Sequence, residues 1–330
     1  MKVLVINLMQ IGDLVLTTPV FRAIKSAHPD FFLAAAVNHQ FADLVKFNPF
    51  INRLFTVDKR SLKSVAQTIA DIRAVNFDLC INLNRSERAC TLAALSAASN
   101  IVGYAKPIFY PFFDKVCPNL KNSMHQVHSH FKVLETTGLG NLPVPNPDVF
   151  IGDTHLNRPF PKNLVAFNVG ASWQSKRWLP EYFASVAVEL IYRGFHVAFL
   201  GSKQDIPIVD QCLAFIPDKS NVLVLTGKLS LLELVAFFDY CRLLITNDSG
   251  PMHIAAARRC HTLSIFGSSP TAGFFPCGSG NIIIKAPVDC HPCYKHSCPR
   301  GDLLCMKAIS PQLVLALALL DLTSTMNKNP

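Results

Sequence analysis

The sequence predicts an α/β protein with parallel, doubly wound sheets in two domains. Short apolar runs alternate with stretches of helical spacing, and this alternation occurs in two successive series. The 330 residues exceed what one small core needs, and half of them are hydrophobic, so each domain can bury a core of its own.

The first series begins with a strand over Lys2–Leu8, which leads through Met9–Asp13 into a helix over Leu14–Ala27. Asp13 stands where a helix N-cap is expected, and Pro19 is expected to kink that helix without ending it. The further predicted strands are Phe31–Val37, Leu54–Val57, Phe77–Leu83 and Asn100–Tyr104. The further predicted helices lie near Phe41–Phe47, Ser61–Val75 and Glu87–Ala98. One more predicted helix contains His125, His128 and His130 and ends near Thr137.

A linker rich in glycine and proline follows, and the second series comes after it. The linker residues are Gly138, Gly140, Pro143, Pro145 and Pro147. The predicted strands are Leu164–Val169, His196–Leu200, Val222–Leu225, Leu243–Ile245, Thr262–Phe266 and Ile282–Lys285. The predicted helices are Pro180–Arg193, Pro207–Phe215, Leu231–Tyr240 and Pro251–Ala257. We therefore predict domains over 1–155 and 156–310, with the apolar segment 311–330, helical over Pro311–Leu322, packing back on the first domain.

The charge balance suggests an anionic partner. There are 31 basic and 22 acidic residues, a net charge of +9, which suits a nucleotide, a phosphorylated glycolipid, a membrane surface or a nucleic acid. The basic residues are scattered and no nucleic-acid-binding module is recognisable, so no nucleic-acid partner is expected. No run of about 18 apolar residues predicts a membrane span, and the apolar segment Val3–Leu16 is too interrupted to be a secretory signal, so a cytoplasmic location is expected.

The strand that turns into a helix over Leu243–Ala257 is the first candidate site. Asp248, Ser249 and Gly250 are capping residues, and Pro251 suits the first helical position. The free N–H groups and the positive end of such a helix favour an anion such as a diphosphate, and His253 adds a donor. A well-capped crossover without a ligand is the alternative.

Two further loops follow predicted strands, where ligands bind in parallel sheets. Gly12 permits a tight turn, and the carboxylate of Asp13 is suited to accept a proton from an incoming hydroxyl; a plain N-cap is the alternative. The loop Gly170–Trp178 places Lys176 and Arg177 between two indoles, a setting suited to a phosphate leaving group, although a solvated pair of cations is the alternative. Neither G-x-G-x-x-G after the first strand nor a P-loop is present, which disfavours a dehydrogenase or an NTPase.

Three motifs together resemble those of bacterial glycosyltransferase family 9, the ADP-heptose lipopolysaccharide heptosyltransferases. They are Ile11-Gly12-Asp13, Lys176-Arg177-Trp178 with Pro180, and Asp248-Ser249-Gly250-Pro251-Met252-His253. The resemblance implies a GT-B fold of two facing Rossmann-like domains, with the acceptor bound by the first and the nucleotide sugar by the second. It also implies an inverting transfer of heptose from ADP-heptose to the lipopolysaccharide inner core, with a hexose as the open alternative for the donor sugar.

The resemblance assigns residues to each part of that reaction. It makes Asp13 the general base and Lys176 the partner of the departing diphosphate. The expected donor-binding residues are Gly170, Ser172, Lys176, Arg177, Asp205, Leu229, Asp248, Ser249, Gly250, Pro251 and His253. The expected acceptor-binding residues are Gly12, Arg85 and Arg88, with a solvated helix start as the alternative for both arginines. The lipid A–core acceptor and the positive charge together predict peripheral binding to the inner face of the inner membrane.

The cysteines raise the question of a metal. There are eleven, and Cys290, Cys293, Cys298 and Cys305 are spaced C-x₂-C-x₄-C-x₆-C, which is compatible with structural zinc. Because zinc ligand pairs usually lie further apart, we expect reduced thiols, no metal and no cofactor. His125 and His128 could form a metal-binding face, but we expect them to be ordinary helix residues. The aromatic residues Phe109, Tyr110, Phe112 and Phe113 could contact lipid, but we expect them to pack in the core.

Two other functions remain open. A nucleotide-sugar epimerase of the same architecture would convert the donor without an acceptor, and a non-catalytic nucleotide-sugar binding protein would bind ADP compounds without turnover.

Overall fold

The computed structural model describes residues 1–118, 123–156 and 158–326. The chain forms two compact units, Met1–Gly152 and Asp153–Pro330.

The first unit is built on a six-stranded parallel sheet with strand order β3-β2-β1-β4-β5-β6. The strands are β1 (Lys2–Asn7), β2 (Phe32–Asn38), β3 (Arg53–Val57), β4 (Leu79–Asn82), β5 (Asn100–Gly103) and β6 (Lys115–Val116). The helices are α1 (Ile11–Val15), α2 (Thr18–Ala27), α3 (Leu62–Arg73), α4 (Glu87–Ala94) and α5 (Gln126–Leu134), and single 3₁₀ segments cover His39–Leu44 and Pro107–Phe112. The central strands are buried along almost their whole length, as expected for a sheet covered on both faces.

The predicted helix over Leu14–Ala27 is two helices, α1 and α2. Pro19 lies in the first turn of α2 and has no N–H to donate to Val15 O, and the Thr18 hydroxyl donates to that carbonyl at 2.8 Å instead. The prediction of one kinked helix is therefore wrong. Asp13 is also not an N-cap, because Gln10 holds that position and Asp13 lies inside the first turn of α1.

The second unit has a six-stranded parallel sheet with strand order β12-β11-β10-β7-β8-β9. The strands are β7 (Leu164–Asn168), β8 (His196–Leu200), β9 (Val222–Val224), β10 (Leu243–Asn247), β11 (His261–Phe266) and β12 (Asn281–Lys285). The helices are α6 (Pro180–Tyr192), α7 (Ile206–Ala214), α8 (Leu231–Phe237), α9 (Gly250–Ala257), α10 (Thr271–Phe274), α11 (Leu304–Lys307) and α12 (Pro311–Met326), with 3₁₀ segments at Gln174–Lys176, Lys203–Asp205 and Phe238–Tyr240.

The two sheets share one topology. In each, the first strand of the unit pairs with the second on one side and with the fourth on the other, so strand order reverses between β1 and β4 and between β7 and β10. In open parallel sheets the crevice beyond the carboxyl ends of the strands at such a reversal is the usual ligand site. Each unit therefore has one position where a site is expected.

The final helix, α12, contributes to the core of the second unit. Val314, Ala318 and Leu322 are buried in that core, and Arg242 donates a hydrogen bond to Leu322 O at 2.8 Å. The expectation that 311–330 packs on the first domain is thus corrected for the described part of the helix. Since the helix is apolar on nearly all sides, its sequence does not specify which core it joins.

Three surface and composition features complete the fold. Among the described residues, no helix is long and apolar enough to cross a membrane. All eleven cysteines lie in the described part of the chain, and none of them forms a disulfide. In the 3₁₀ segment Pro107–Phe112, Ile108 is 76% exposed and Phe112 54% exposed, whereas Phe113 is buried, so the expected core packing holds for only part of this aromatic run.

Candidate functional site

The site of the first unit is a cavity where its strand order reverses. The cavity has a volume of about 310 Å³, within the range of small-ligand pockets. Its lining residues follow β1 and β4 or come from α5 and the segment after β5, and they are Asn7, Met9, Asp13, Leu83, Asn84, Arg85, Ser86, Tyr104, Gln126 and His130. The structure therefore brings two predicted residues, Asp13 and Arg85, to the same cavity.

A hydrogen-bond network fixes the backbone of Asp13. The side-chain amide of Asn7, at the end of β1, donates to the Thr17 hydroxyl at 2.6 Å, and that hydroxyl donates to Asp13 O at 2.8 Å. Asn7 Oδ1 accepts from the N–H of Met9 at 3.0 Å. Hydrogen bonds thus fix the turn between β1 and α1 at Met9 and at Asp13, which holds the Asp13 side chain at the cavity.

Positive charge surrounds this turn. Arg85 donates through Nε to Ala105 O at 3.2 Å, and Lys59 donates to Leu8 O at 3.0 Å. Burial, and then the neighbouring Arg88 guanidinium, lower the pKa of Lys59. Arg88 itself is exposed and does not line the cavity, and Gly12 lies in the first turn of α1 next to Asp13. The predicted acceptor residues therefore lie near one another, with Arg85 the best placed to touch a ligand in the cavity.

The site of the second unit is centred on a buried ion pair where β7 and β10 are neighbours. Lys176 Nζ donates to Asp248 Oδ2 at 2.6 Å, with only 14% and 7% of the two side chains exposed. Ser269 Oγ donates to the same oxygen at 2.5 Å. The Lys176 ammonium lies 4.4 Å from the centre of the Trp173 ring, which stacks on His296. This ammonium is fixed by an anion on one side and an aromatic face on the other.

The start of α9 lies beside this pair. Ser249 is the N-cap and Gly250 is the first helical residue, so the helix begins one residue before the predicted start at Pro251, which lies in its first turn. No side chain in the described part of the chain caps this helix, and the Ser249 hydroxyl accepts instead from Asn168 Nδ2 at 2.9 Å. His253 is buried in the first turn. The N–H groups at this helix start thus lie next to Lys176, where an anion would be stabilised.

The remaining predicted donor residues have mixed environments. Gly170 follows β7, and a Cβ on it would lie 2.4 Å from Asp205 Oδ1, so glycine is required for this close approach. The other oxygen of Asp205 accepts from the N–H and the hydroxyl of Ser202 in a capping box. Arg177 donates through Nε to Ala171 O at 3.0 Å. Ser172 is exposed, and Leu229 is partly exposed in the loop before α8.

Trp178 corrects one expectation about the Lys176 loop. It is fully buried in the core of the second unit, and its Nε1 donates to Ile309 O at 3.0 Å, so only Trp173 lies against the lysine. Three further residues of this site, Asn168, Asn247 and Ser269, are not among those predicted from the sequence. Asn247 accepts from Trp178 N at 2.9 Å and donates to Val169 O at 2.8 Å. Asn168 and Asn247 each end a buried strand, which was the available signal for them.

The cysteine-rich segment packs against the Lys176 loop, where the N–H of Ser175 donates to His296 O at 3.1 Å. Cys290, Cys293, Cys298 and Cys305 all line a small cavity of about 60 Å³. Burial first, and then the neighbouring thiols, raise the pKa of Cys305. Within residues 1–118, 123–156 and 158–326, no group of three or more His, Cys, Asp or Glu is arranged to hold a metal ion.

Comparison with known proteins agrees with this architecture. The model of glycosyltransferase family 9 (heptosyltransferase) matches residues 65–304. Lipooligosaccharide heptosyltransferase 2 of Campylobacter jejuni is 31% identical over 157 residues, which is 47% of this chain and 49% of that protein, so the match spans about half of that relative's length.

Two solved structures are similar over nearly the whole chain. A glycosyl transferase of family 9 from Veillonella parvula has a TM-score of 0.83 and 25% identity, covering 98% of this chain and 97% of the other. The E. coli ADP-heptose lps heptosyltransferase II has a TM-score of 0.81 and 20% identity, covering 98% and 100%. The predicted α/β fold class of GT-B type is thereby confirmed. Since the family model covers well over half of its residues, this chain belongs to glycosyltransferase family 9.

Proposed function

We propose that this protein transfers heptose from ADP-heptose to the inner core of lipopolysaccharide, with inversion at the anomeric carbon. The observation that carries the proposal is that Asp13 lines a cavity of ligand size where the strand order of the first unit reverses. Membership of the family supports the reaction class, and the E. coli ADP-heptose lps heptosyltransferase II, which has the same fold, supports the choice of donor and acceptor.

The first unit is proposed to bind the acceptor. The acceptor hydroxyl attacks the anomeric carbon as the bond from that carbon to the ADP oxygen breaks, and Asp13 takes the hydroxyl proton. A positioned base contributes about 10²–10⁴-fold to such a step. Arg85, with Lys59 and Arg88 nearby, is placed to bind anionic groups of the acceptor.

The second unit is proposed to bind the nucleotide sugar. As the bond to the sugar breaks, negative charge develops on the diphosphate, and the Lys176 ammonium and the N–H groups at the start of α9 stabilise it. Asp248 and Trp173 hold the ammonium in place, and Ser269 donates to the carboxylate of Asp248. The rest of the proposed donor site comes from three parts of the second unit. The loop of Lys176 contributes Gly170, Ser172 and Arg177, the helix start contributes Ser249, Gly250, Pro251 and His253, and Asp205 and Leu229 come from two other loops. No metal or cofactor is part of the proposal.

Incubation with ADP-heptose and truncated lipopolysaccharide, followed by mass spectrometry, tests the function. We expect the acceptor to gain the mass of one heptose. Asp13→Asn should reduce transfer by about 10²–10⁴-fold and leave ADP binding unchanged, while the control Asp71→Asn, at a surface carboxylate that accepts from Gln67, should behave as the unchanged protein. An altered donor with an unchanged acceptor would indicate an epimerase, and ADP binding without any product would indicate a binding protein. Normal turnover by Asp13→Asn would rule out the proposed base.

We also propose that the protein works at the cytoplasmic face of the inner membrane. The exposed Ile108, Tyr110 and Phe112 next to Lys106 and Lys115 form an apolar patch with basic neighbours, which suits an anionic leaflet.

Co-sedimentation with lipid vesicles tests the membrane proposal. The double change Ile108→Asp and Phe112→Asp should lower binding to anionic vesicles, whereas Tyr192→Asp, at a residue of the second unit that is more exposed than either, should not. Equal binding by all three proteins would remove this patch from the proposal.

A further inference from the structure

In the cavity of the first unit, two polar atoms of buried side-chain amides lack hydrogen-bond partners among the described residues. They are Asn84 Nδ2 and Gln126 Oε1. Asn84 is 2% exposed and Gln126 7% exposed, and both side chains line the cavity that Asp13 lines. Because a buried polar atom without a partner costs free energy, atoms of this kind that face a cavity indicate a ligand that supplies the missing bonds.

The hydrogen-bonding capacity left at each amide can be assigned. Asn84 Oδ1 accepts from the N–H of Ser86 at 2.8 Å, so its Nδ2 is left as a donor. Gln126 contacts His130 Nε2 at 2.8 Å through one end of its amide. Whichever way that amide is turned, its other polar atom remains for a ligand.

The charges of the side chains near the two amides indicate which class of ligand suits the cavity. Burial lowers the pKa of His130 to about 4, so the His130 ring beside Gln126 is uncharged near pH 7. Arg85 is the cation among the residues that line the cavity. A neutral group that both donates and accepts hydrogen bonds therefore suits the amides, and an anionic group suits Arg85. A sugar hydroxyl both donates and accepts.

We propose that Asn84 and Gln126 bind hydroxyl groups of the acceptor's terminal sugar, and so orient the attacking hydroxyl toward Asp13, while Arg85 binds an anionic substituent. This inference rests on the proposed transfer function and adds to it a binding site for a neutral sugar ring. Neither amide is among the site residues predicted from the sequence.

Steady-state kinetics with a deacylated, truncated core oligosaccharide as acceptor tests the inference. Gln126→Met keeps the length of the side chain and removes the amide, and Asn84→Asp keeps the oxygen that accepts from Ser86 and removes the donor. Each should raise the acceptor KM about tenfold, as expected for one lost hydrogen bond, with little change in the KM for ADP-heptose. The matched control is Ser129→Ala, because Ser129 Oγ is equally buried and also without a partner among the described residues, but Ser129 does not line the cavity.

The outcomes separate this inference from the proposed function. If the unchanged protein transfers heptose but both amide variants keep an acceptor KM within twofold of Ser129→Ala, the sugar site is refuted and the function stands. If the unchanged protein transfers nothing, the function fails, and calorimetry with the same oligosaccharide then decides about the site. Binding that weakens about tenfold in both amide variants but not in Ser129→Ala would support the site, and any other binding result would overturn it. Near-UV circular dichroism confirms that each variant is folded.

Discussion

Replacing Lys176 by methionine should destabilise the second unit as well as impair the proposed reaction. The change removes the ammonium from a buried ion pair and keeps most of the volume of the side chain. It leaves the Asp248 carboxylate, 7% exposed, with the Ser269 hydroxyl as the donor that remains on Oδ2. A buried charge whose partner has been removed is strongly unfavourable, because it has lost both water and its counter-ion.

The expected loss is about 3–5 kcal/mol, the usual cost of removing one partner from a buried pair. At a denaturant dependence of about 2 kcal/mol per molar urea, the unfolding midpoint should fall by about 1.5–2.5 M. The double variant Lys176→Met with Asp248→Asn has no unpaired charge, so it should regain most of the lost stability.

Urea unfolding followed by tryptophan fluorescence measures this loss in the second unit. The chain has two tryptophans, Trp173 and Trp178, and both lie in that unit. Arg193→Met is the control within the same unit, because the pair of Arg193 with Glu189 is exposed and should contribute about 0.5 kcal/mol or less. If Lys176→Met unfolds at the same urea concentration as Arg193→Met, or if Asp248→Asn restores nothing, the buried pair does not contribute as argued.

Three further changes test other parts of the structure. Trp178→Phe leaves Ile309 O without its donor and opens a small cavity, so the free energy of unfolding of the second unit should fall by about 3 kcal/mol. Because the change removes a tryptophan, thermal unfolding is followed by a signal other than fluorescence. An unchanged unfolding transition would contradict the buried hydrogen bond. Gly103→Ala places a Cβ 2.1 Å from Asn82 O at a φ of +132°, so we expect the free energy of unfolding to fall by at least about 3 kcal/mol, or the protein not to fold. Soluble yield and thermal unfolding measure this effect. A normal yield with normal stability would show that the close approach of the two backbones does not require glycine. For His130, burial lowers the pKa from 6.5 to about 4, so the unfolded chain binds more protons between these values and the stability of the first unit should fall as the pH drops through that window, by up to about 3 kcal/mol. Hydrogen exchange in β1 at pH 7 and pH 4.5 measures this fall, which His130→Asn should lack; equal pH dependence in both proteins would contradict it.

The parallel sheets were predictable because buried parallel strands are nearly continuous apolar runs. Strands such as Leu164–Asn168 and Leu243–Asn247 are recognisable from composition alone, and their partners follow from the alternation with helices. The two-residue strand β6 gave no such signal. Helix ends were less predictable, since the break before Pro19 depends on hydrogen bonds made by Thr17 and Thr18.

The sites were predictable only as far as local sequence determines them. The loops after β1, β7 and β10 were found from their polar residues, because the end of a strand places a loop at the ligand edge. Contacts that join distant segments were not predicted. Examples are the hydrogen bond from Ser269 to Asp248 and the position of Gln126 in the same cavity as Asn84. Such contacts depend on the packing of whole elements, which no short motif encodes.

The position of α12 in the core of the second unit affects how the protein folds during synthesis. The first unit is complete once Gly152 has been translated, so it can fold while the ribosome is still making the rest of the chain. The second unit lacks Val314, Ala318 and Leu322 until late in translation, and its sheet keeps an uncovered apolar face until then. During that interval the nascent chain presents a surface that favours chaperone binding or aggregation.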